Sequence, residues 1–191
     1  MRTRSRTLRR DGQRSRSWTI TTTAALAATL TAVCAGCAPE PSPTHPSEPP
    51  SERAVVDAVV DGDTFRIATA NGLVRVRIIG IDTPEIGRDG AASECYAEQA
   101  RDELDRLIYG HTVELFTDPT QAETDKYGRL LRHVYVDGVN VALTELEAGA
   151  GREYTYDKPY AGQDDYRAAE RTATAAKRGK WGSCPTESSA P

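Results

Sequence analysis

Short segments of alternating apolar and polar residues run through the middle of the chain, the pattern of strands that have one buried face. Residues 64–69 and 73–81 form two such segments, separated by an Asn-Gly pair at 71–72. An Asn-Gly pair between two alternating runs is typical of a β-hairpin. A valine-rich run at 55–60 leads into Asp-Gly at 61–62, a second turn signal. The pattern therefore predicts three strands joined by tight turns.

The rest of the chain combines helical and strand patterns, divided by glycines and by Asp-Pro and Asp-Gly turns. Helices are predicted at residues 91–108, 139–147 and 166–177. Two more strands are predicted at 111–117 and 129–136, and residues 152–160 are expected to be irregular. Five short strands with antiparallel signals indicate an α+β fold, a five-stranded OB-type β-barrel with about three flanking helices.

The predicted hairpin concentrates charged side chains. Folding it brings the residues near Asp63 back towards those near Asp82, and Glu85 follows shortly after. Arg75 and Arg77 share one strand face, because side chains alternate along a strand. Each feature alone has a structural explanation, such as a turn, a helix cap or solvated charge. Together, converging carboxylates and guanidinium groups make a poor core and a suitable site for a metal ion and a phosphate.

The first 37 residues differ in composition from the rest. Seven arginines precede an apolar run rich in alanine and threonine at 18–33, and small residues follow. This order is that of a secretory signal peptide, and the apolar run is too short and too rich in threonine for a membrane span. Cys37 resembles the lipidated cysteine of a bacterial lipobox, although Cys34 stands where leucine or valine is expected. Lipidation of Cys37 and ordinary cleavage nearby are both open.

These features predict a domain organisation and a location. Residues 1–37 are the signal peptide, and residues 38–52 are a Pro/Ser-rich linker that cannot bury a core. Residues 53–185 are the folded domain, and residues 186–191 are a tail. We expect the domain to be secreted, or anchored by a lipid on the outer face of the cell membrane.

Cysteine usage is consistent with export. Cys95 and Cys184 are the cysteines outside the leader. In an exported chain they can form a disulfide, and the alternative is two unpaired thiols. We expect the disulfide. No Cys-x-x-Cys pair with a suitably spaced histidine lies in the domain, which argues against a zinc site.

The charge balance argues against one class of protein. The whole chain has a formal net charge of −4, and its first 37 residues hold seven arginines and one acidic residue, so the remainder carries −10. An acidic surface disfavours a protein that binds nucleic acid through a broad basic patch. It does not disfavour an enzyme with a local cluster of positive charge.

Three motifs occur in one order along the domain. They are DGDT at 61–64, IDTPE at 81–85 and DKYGR at 125–129. Together they resemble the staphylococcal nuclease (thermonuclease) family over roughly residues 53–184. The resemblance implies an OB-type barrel and a calcium-dependent, sugar-nonspecific nuclease. Such an enzyme hydrolyses phosphodiester bonds of DNA and RNA and leaves 3′-phosphate ends.

The resemblance also implies roles for the charged residues. Asp63, Asp82 and the carbonyl of Thr83 would bind Ca²⁺, and the two carboxylates are hard oxygen ligands of the kind that calcium takes. Glu85 would be the general base that orients or deprotonates the attacking water. Two arginines complete the catalytic set, since a guanidinium forks onto phosphate oxygens better than an ammonium does. These are Arg77, which contacts the phosphate, and Arg129, which stabilises the transition state.

The substrate would contact aromatic and basic side chains. By resemblance, Lys126 contacts phosphate, Tyr127 and Tyr154 hydrogen-bond a terminal phosphate, and Tyr156 lies under the base. The sequence departs from the family at Asp157, where a basic residue is usual; Lys158 comes one position later.

Two alternative functions remain at this point. The first is a catalytically silent OB-type module that binds single-stranded nucleic acid, and the presence of all three catalytic candidates argues against it. The second is a structural calcium-binding module, which has no use for paired arginines. We therefore expect a monomeric enzyme with DNA and RNA as substrates and possible membrane attachment through Cys37.

Overall fold

The predicted hairpin is the first part of the fold in a computed structural model that describes residues 50–185. Its strands are β1 (Glu52–Asp61), β2 (Thr64–Thr69) and β3 (Gly72–Ile78). β2 pairs antiparallel with both neighbours, and Gly72 at the β2–β3 turn has a φ of 113°, which glycine adopts without strain. The predicted signal peptide, Cys37, the tail and the linker up to residue 49 lie outside the described residues.

The strand predicted at 73–81 is interrupted. β3 ends at Ile78, and the chain continues as a separate short strand, β4 (Gly80–Asp82). Gly80 has a φ of 87°, and a Cβ there would lie 2.6 Å from the rings of Tyr160 and Tyr166. Only glycine fits, and the change of direction it allows turns Asp82 out of the barrel wall towards the surface.

Five strands close into a barrel, which confirms the predicted fold class. β5 (Thr112–Phe116) pairs with β1, and β6 (Leu130–Val136) pairs antiparallel with β5. β6 also pairs in parallel with β3, with Val76 opposite Leu130, and this pairing closes the sheet. The closing pair has a functional consequence, because it places Arg77 beside the start of the strand that follows Arg129. A two-residue strand, β7 (Val139–Asn140), extends β6 at the edge.

The barrel interior is filled by the apolar faces of its strands. Fully or almost fully buried side chains come from every barrel strand, namely Val56, Phe65, Ile67, Val76, Ile78, Val113, Leu115 and Val134. Each large aliphatic or aromatic side chain of this kind stabilises the fold by about 1.5–3 kcal/mol relative to its exposed state. The polar side chains that carry chemistry lie at the ends of these strands.

Three helices flank the barrel, and a single further turn of helix follows them. They are α1 (Ala97–Ile108), α2 (Val141–Ala148), α3 (Gln163–Ala175) and α4 (Lys180–Ser183). The helix predicted from residue 91 begins only at Ala97, because Tyr96 has a left-handed φ of 75°. α2 begins two residues later than predicted, where the side chain of Asn140 accepts a hydrogen bond from Leu143 N. None of the helices in the described part of the chain is long and apolar enough to cross a membrane.

The segment expected to be irregular contains a strand. β8 (Arg152–Tyr154) pairs antiparallel with β4, with Arg152 opposite Asp82 and Tyr154 opposite Gly80. Three residues without apolar alternation carry no strand signal of their own, so this element depends on its partner strand. The pairing places Arg152 and Tyr154 next to Asp82.

Cys95 and Cys184 form a disulfide in the structure, with their Cα atoms 5.8 Å apart and a separation of 89 positions along the chain. It joins the segment before α1 to the end of α4. The C-terminal end of the described chain is thereby linked to the segment that also carries Glu85.

Candidate active site

Arg77 stands at the centre of the candidate site. It leaves β3 and reaches both predicted metal-ligand carboxylates, with its Nη1 2.9 Å from Asp63 and its Nη2 3.1 Å from Asp82. The Nη1 group also donates to the carbonyl of Ile81 at 2.7 Å. The arginine is only 8 % exposed, so its planar fork is fixed by these partners. The structure therefore brings Asp63, Asp82 and Arg77 together, as the hairpin pattern predicts.

Asp63 is completely buried and fully hydrogen-bonded. It accepts hydrogen bonds from Thr83 N at 3.0 Å, Thr83 Oγ1 at 3.2 Å and Thr64 Oγ1 at 2.9 Å, in addition to its ion pair with Arg77. Burial raises the pKa of Asp63, and the Arg77 charge and these hydrogen bonds oppose the shift. Asp63 thus fixes the Thr83 backbone at the end of β4.

Gly62 explains why glycine stands between the two aspartates of the DGDT motif. A Cβ at this position would lie 2.8 Å from the Cβ of Ala100 in α1 and 2.9 Å from Thr83 Oγ1. Any side chain would push α1 and the Thr83 segment away from the turn. The close approach of these three elements is what places Asp63 beneath Thr83.

Asp82 is the more accessible carboxylate, with 29 % of its side chain exposed. Its second oxygen accepts from Arg152 Nη2 at 2.7 Å and from Arg152 Nε at 3.1 Å. Arg152 is a site residue that the sequence analysis missed. Nothing in its local sequence indicates the contact, which follows from the pairing of β8 with β4.

The two aspartates have the chemistry that a bound cation requires. Asp63 and Asp82 lie within reach of one guanidinium and offer the hard oxygen atoms that Ca²⁺ and Mg²⁺ prefer. No cluster of three or more histidine, cysteine or acidic side chains suited to a metal ion occurs among residues 50–185. The donor set fits a cation that takes its remaining ligands from water and backbone carbonyls. Three guanidinium N–H groups already bind Asp82, so a cation competes with Arg77 and Arg152 for that carboxylate.

Glu85 lies in the irregular segment that follows β4, and its backbone is held on both sides. Its N–H donates to Glu94 Oε2 at 3.0 Å, and its carbonyl accepts from Glu94 N at 3.0 Å. The next amide, Ile86 N, donates to Asp61 Oδ1 at 3.3 Å. Asp61 and Glu94 are therefore positioning residues that sequence reasoning missed.

The Glu85 carboxylate itself has no hydrogen bond or ion pair within the described residues. Its burial, together with the negative charges of Asp63 and Asp61, raises its pKa. An unpaired carboxylate with a raised pKa is a better proton acceptor than an ion-paired one at neutral pH.

Arg129 is held by the first residue of its own motif. Asp125 Oδ2 accepts from Arg129 Nε at 2.7 Å, and Asp125 Oδ1 accepts from the backbone N–H groups of Tyr127 and Arg129, both at 2.9 Å. Arg129 Nη1 also donates to Thr64 Oγ1 at 3.2 Å. Burial opposes the shift, but these hydrogen bonds lower the pKa of Asp125, so it stays ionised. The DKYGR motif is thus a turn that orients its own arginine, with the remaining guanidinium N–H groups available for a ligand.

Aromatic side chains surround the charged centre. Tyr127 is 62 % exposed and Tyr156 is 70 % exposed, and Tyr154 and Tyr156 have ring centroids 6.4 Å apart. Lys126 Nζ lies 5.0 Å from the Tyr127 ring centroid. Arg152 lies 5.4 Å from that of Tyr154. Exposed rings with neighbouring cations are suited to stacking against bases beside a phosphate backbone.

A cleft of about 430 Å³, called here the main cleft, collects these side chains. Eight of the predicted site residues line it, namely Arg77, Asp82, Glu85, Lys126, Tyr127, Arg129, Tyr154 and Tyr156. Asp63 and Thr83 do not line it; both are buried, and Asp63 pairs with Arg77. Asp157, the departure from the family pattern, also lies in the cleft wall.

Comparison with known proteins agrees with this arrangement. Residues 75–183 match the family model described as "Staphylococcal nuclease homologue". The chain is 34% identical over 127 residues to "SPbeta prophage-derived endonuclease YokF" of Bacillus subtilis (strain 168), covering 66% of this chain and 43% of that protein. It is 33% identical over 127 residues to "Endonuclease YncB" of the same organism, covering 66% of this chain and 60% of that protein.

A third relative carries the name that the three motifs suggested. "Thermonuclease" of Staphylococcus hyicus is 28% identical over 123 residues, covering 64% of this chain and 72% of that protein. The match thus covers less than two thirds of the length of each of the two Bacillus relatives. The family match confirms the resemblance seen in the motifs: this chain belongs to the staphylococcal nuclease homologue family.

Proposed function

We propose that the domain is a nuclease that hydrolyses phosphodiester bonds of DNA and RNA. One observation carries the proposal: the unpaired carboxylate of Glu85 lines the same cleft as two fixed guanidinium groups, those of Arg77 and Arg129. Phosphodiester hydrolysis needs a group that activates water and groups that neutralise charge on the phosphate. The printed names of the relatives, endonuclease and thermonuclease, support the same activity.

In the proposed mechanism, each residue acts while keeping the contacts described above. Glu85 orients a water molecule and accepts its proton, which its raised pKa favours. Arg77 and Arg129 bind the phosphate oxygens, and their fixed positions mean that little reorganisation is needed as charge develops. Arg129 would stabilise the leaving oxygen. Its contacts with Asp125 and Thr64 support this role, because they fix the guanidinium and leave other N–H groups for a ligand.

Calcium is the proposed cofactor, with Asp63, Asp82 and the Thr83 carbonyl as its protein ligands. When bound, the ion would supply positive charge that polarises the phosphate. Ca²⁺ accepts oxygen ligands in flexible geometry, so water and substrate oxygens could complete its shell beside the two carboxylates and the carbonyl. The choice of Ca²⁺ over Mg²⁺ follows from the family resemblance. The proposed products have 3′-phosphate ends, as expected from the family resemblance.

The exposed tyrosines support single-stranded or locally opened substrates. Stacking of a base on such a ring contributes about 1–3 kcal/mol and depends little on base identity. Tyr156 would lie under the base, with Tyr127, Tyr154 and Lys126 near a phosphate. The same surface would also serve a silent binding module, so turnover must be measured directly.

We also propose that the domain works outside the cytoplasm. The Cys95–Cys184 disulfide supports an oxidising compartment, where such bonds persist. Release into the medium and attachment through a lipid on Cys37 are the two forms that this proposal takes, with the domain acting as a monomer.

The test of the proposed function uses the purified protein with plasmid DNA and with RNA, in calcium and in excess chelator. We expect both substrates to be degraded in calcium, no degradation in chelator, and weaker activity with magnesium. Full activity in chelator would remove the cation from the mechanism. Binding of oligonucleotides without cleavage in any condition would instead favour the silent module.

A further inference from the structure

A second cleft, of about 310 Å³, meets the main cleft at the catalytic residues. The two clefts share Glu85, Tyr127 and Arg129 in their walls. The remaining lining of the second cleft comes from the β1–β2 turn, β3 and the segment after β4, namely Val60, Asp61, Thr64, Arg75 and Arg88. Glu85 and Arg129 therefore stand at a boundary with open space on both sides.

Of the two arginines that line only the second cleft, one has an ion-pair partner and the other has none within the described residues. Asp61 is almost completely buried, and it is committed to Arg88, whose Nη2 lies 2.5 Å from its carboxylate. The Asp61 carboxylate also accepts the backbone hydrogen bond from Ile86, so this ion pair fixes Arg88 at the cleft wall. The Arg88 side chain remains 53% exposed, which leaves N–H groups available to a ligand.

Arg75 gives the clearest indication that the second cleft binds an anion. It is exposed, and within residues 50–185 its side chain has no ion pair or hydrogen bond. Its direct cross-strand partner on β2 is another arginine, Arg66, which pairs with Asp57 at 3.1 Å. Like charges directly opposite each other destabilise a sheet. An unpaired arginine kept in such a position, at the edge of a cleft, has the properties of an anion-binding residue.

We propose that the second cleft binds a backbone phosphate of the nucleic acid on the other side of the scissile bond from the nucleotide in the main cleft. Arg75 makes the principal contact and Arg88 a second one. The chain then passes through both clefts, with its scissile phosphate between Glu85 and Arg129. This arrangement rests on the proposed function, and it extends it by defining a substrate that continues on both sides of the cut, which favours cleavage at internal bonds.

Binding without turnover gives the test. Fluorescence anisotropy measures the affinity of a Glu85→Gln protein for a single-stranded oligonucleotide of about 12 nucleotides, within the range that such barrels bind, over a series of salt concentrations. Adding Arg75→Gln should lower the slope of log affinity against log salt by about 0.7, the value for one lost phosphate contact on a single strand. Arg75→Lys should restore most of that slope.

The matched control is Arg101→Gln in the same Glu85→Gln protein. Arg101 is an exposed arginine on α1 that pairs with Asp102 at 2.9 Å and lines neither cleft. It removes the same charge, so it reports any general effect of net charge. Equal salt slopes for Arg75→Gln and Arg101→Gln, with unchanged melting temperatures, would overturn the proposal.

A second measurement locates the phosphate. A strand of about four nucleotides, at the lower end of the range that such barrels bind, has few alternative registers. Replacing its linkages one at a time with a neutral methylphosphonate should identify one position that weakens binding to the Glu85→Gln protein but not to the protein that also lacks Arg75, because the two changes remove one interaction. Equal loss of affinity at every position would contradict a defined subsite. If the wild-type protein cleaves but no such position exists, only this inference fails. If the position exists and the wild-type protein does not cleave, only the proposed nuclease activity fails.

Discussion

Asp125 offers a sharp test of how Arg129 is positioned, because the two oxygens of its carboxylate accept hydrogen bonds from different groups. One accepts the backbone N–H groups of Tyr127 and Arg129, and the other accepts Arg129 Nε. In an Asp125→Asn protein, the side-chain amide can serve only one of these sets. If the amide oxygen accepts the two backbone N–H groups, the NH₂ group faces Arg129 Nε–H. Two donors then meet, and the guanidinium loses its hydrogen bond to residue 125.

The magnitude follows from the kind of bond that is lost. A hydrogen bond between charged groups contributes about 1.5–3 kcal/mol. At 1.4 kcal/mol for each tenfold change, this corresponds to a loss of roughly 10- to 150-fold in the population of correctly placed Arg129. The remaining contact with Thr64 Oγ1, at 3.2 Å, is a neutral acceptor and cannot replace the carboxylate. We therefore expect kcat to fall by about one to two orders of magnitude, with a smaller change in KM.

The assay is steady-state cleavage of a fluorogenic oligonucleotide, with melting temperature as a check on folding. Asp102→Asn makes the same chemical change on α1, where the side chain is 56% exposed and pairs with Arg101, and it should leave kcat unaltered. An Asp125→Asn protein that folds normally and keeps the wild-type kcat would refute the idea that this carboxylate positions Arg129.

Three further predictions concern other parts of the domain. Reductant should lower the melting temperature of the wild type but not of Cys95→Ser, because closing a loop of this length stabilises by about 4–5 kcal/mol; two reactive thiols in the unfolded, unreduced protein would contradict this. Burial raises the pKa of Glu145 to about 9 from its ordinary 4.5, and both its carboxylate oxygens lack a hydrogen bond in the described structure. The folded protein therefore holds this proton more tightly than the unfolded chain, so the contribution of Glu145 to stability is present below pH 4.5 and is lost as the pH rises towards 9. Denaturation at several pH values should show this loss, and Glu145→Gln should abolish it; a wild-type pH dependence that Glu145→Gln leaves intact would contradict this origin. Arg152→Met should strengthen calcium binding by about 1.4- to 5-fold in calorimetry, since an exposed ion pair that competes for Asp82 is worth about 0.2–1 kcal/mol; weaker calcium binding would show that Arg152 supports the site.

Much of the fold could be predicted because its signals are local. The Asn71-Gly72 turn and the alternation on either side of it specify a hairpin whatever surrounds them. The hairpin in turn predicts that Asp63 and Asp82 meet, and both contact Arg77 in the structure. The number of short strands predicted a closed barrel, but the parallel pairing of β3 with β6 that closes it has no local signal and was not predicted.

The parts that could not be predicted depend on long-range partners. Arg152 contacts Asp82 only because a three-residue strand pairs with β4, and no periodicity marks so short an element. Asp61 and Glu94 position the Glu85 backbone from other segments of the chain, and each has an ordinary local explanation as a turn or surface acid. The late start of α1 reflects the left-handed backbone of Tyr96, which sequence periodicity cannot show.

The central claim is that Glu85 is the base and that the aspartates hold the cation. The most direct test is the Glu85→Gln protein. Its calcium affinity and its turnover at saturating calcium are both measured. We predict that turnover falls by roughly 10²–10⁴-fold, while calcium affinity stays near the wild-type value. The wild-type activity should fall at acidic pH as Glu85 becomes protonated, and it should do so above the ordinary glutamate pKa of 4.5 because the pKa of Glu85 is raised. The residual activity of Glu85→Gln should lack this fall. Near-normal turnover at saturating calcium, together with lost calcium affinity, would show that Glu85 is a ligand and contradict the account.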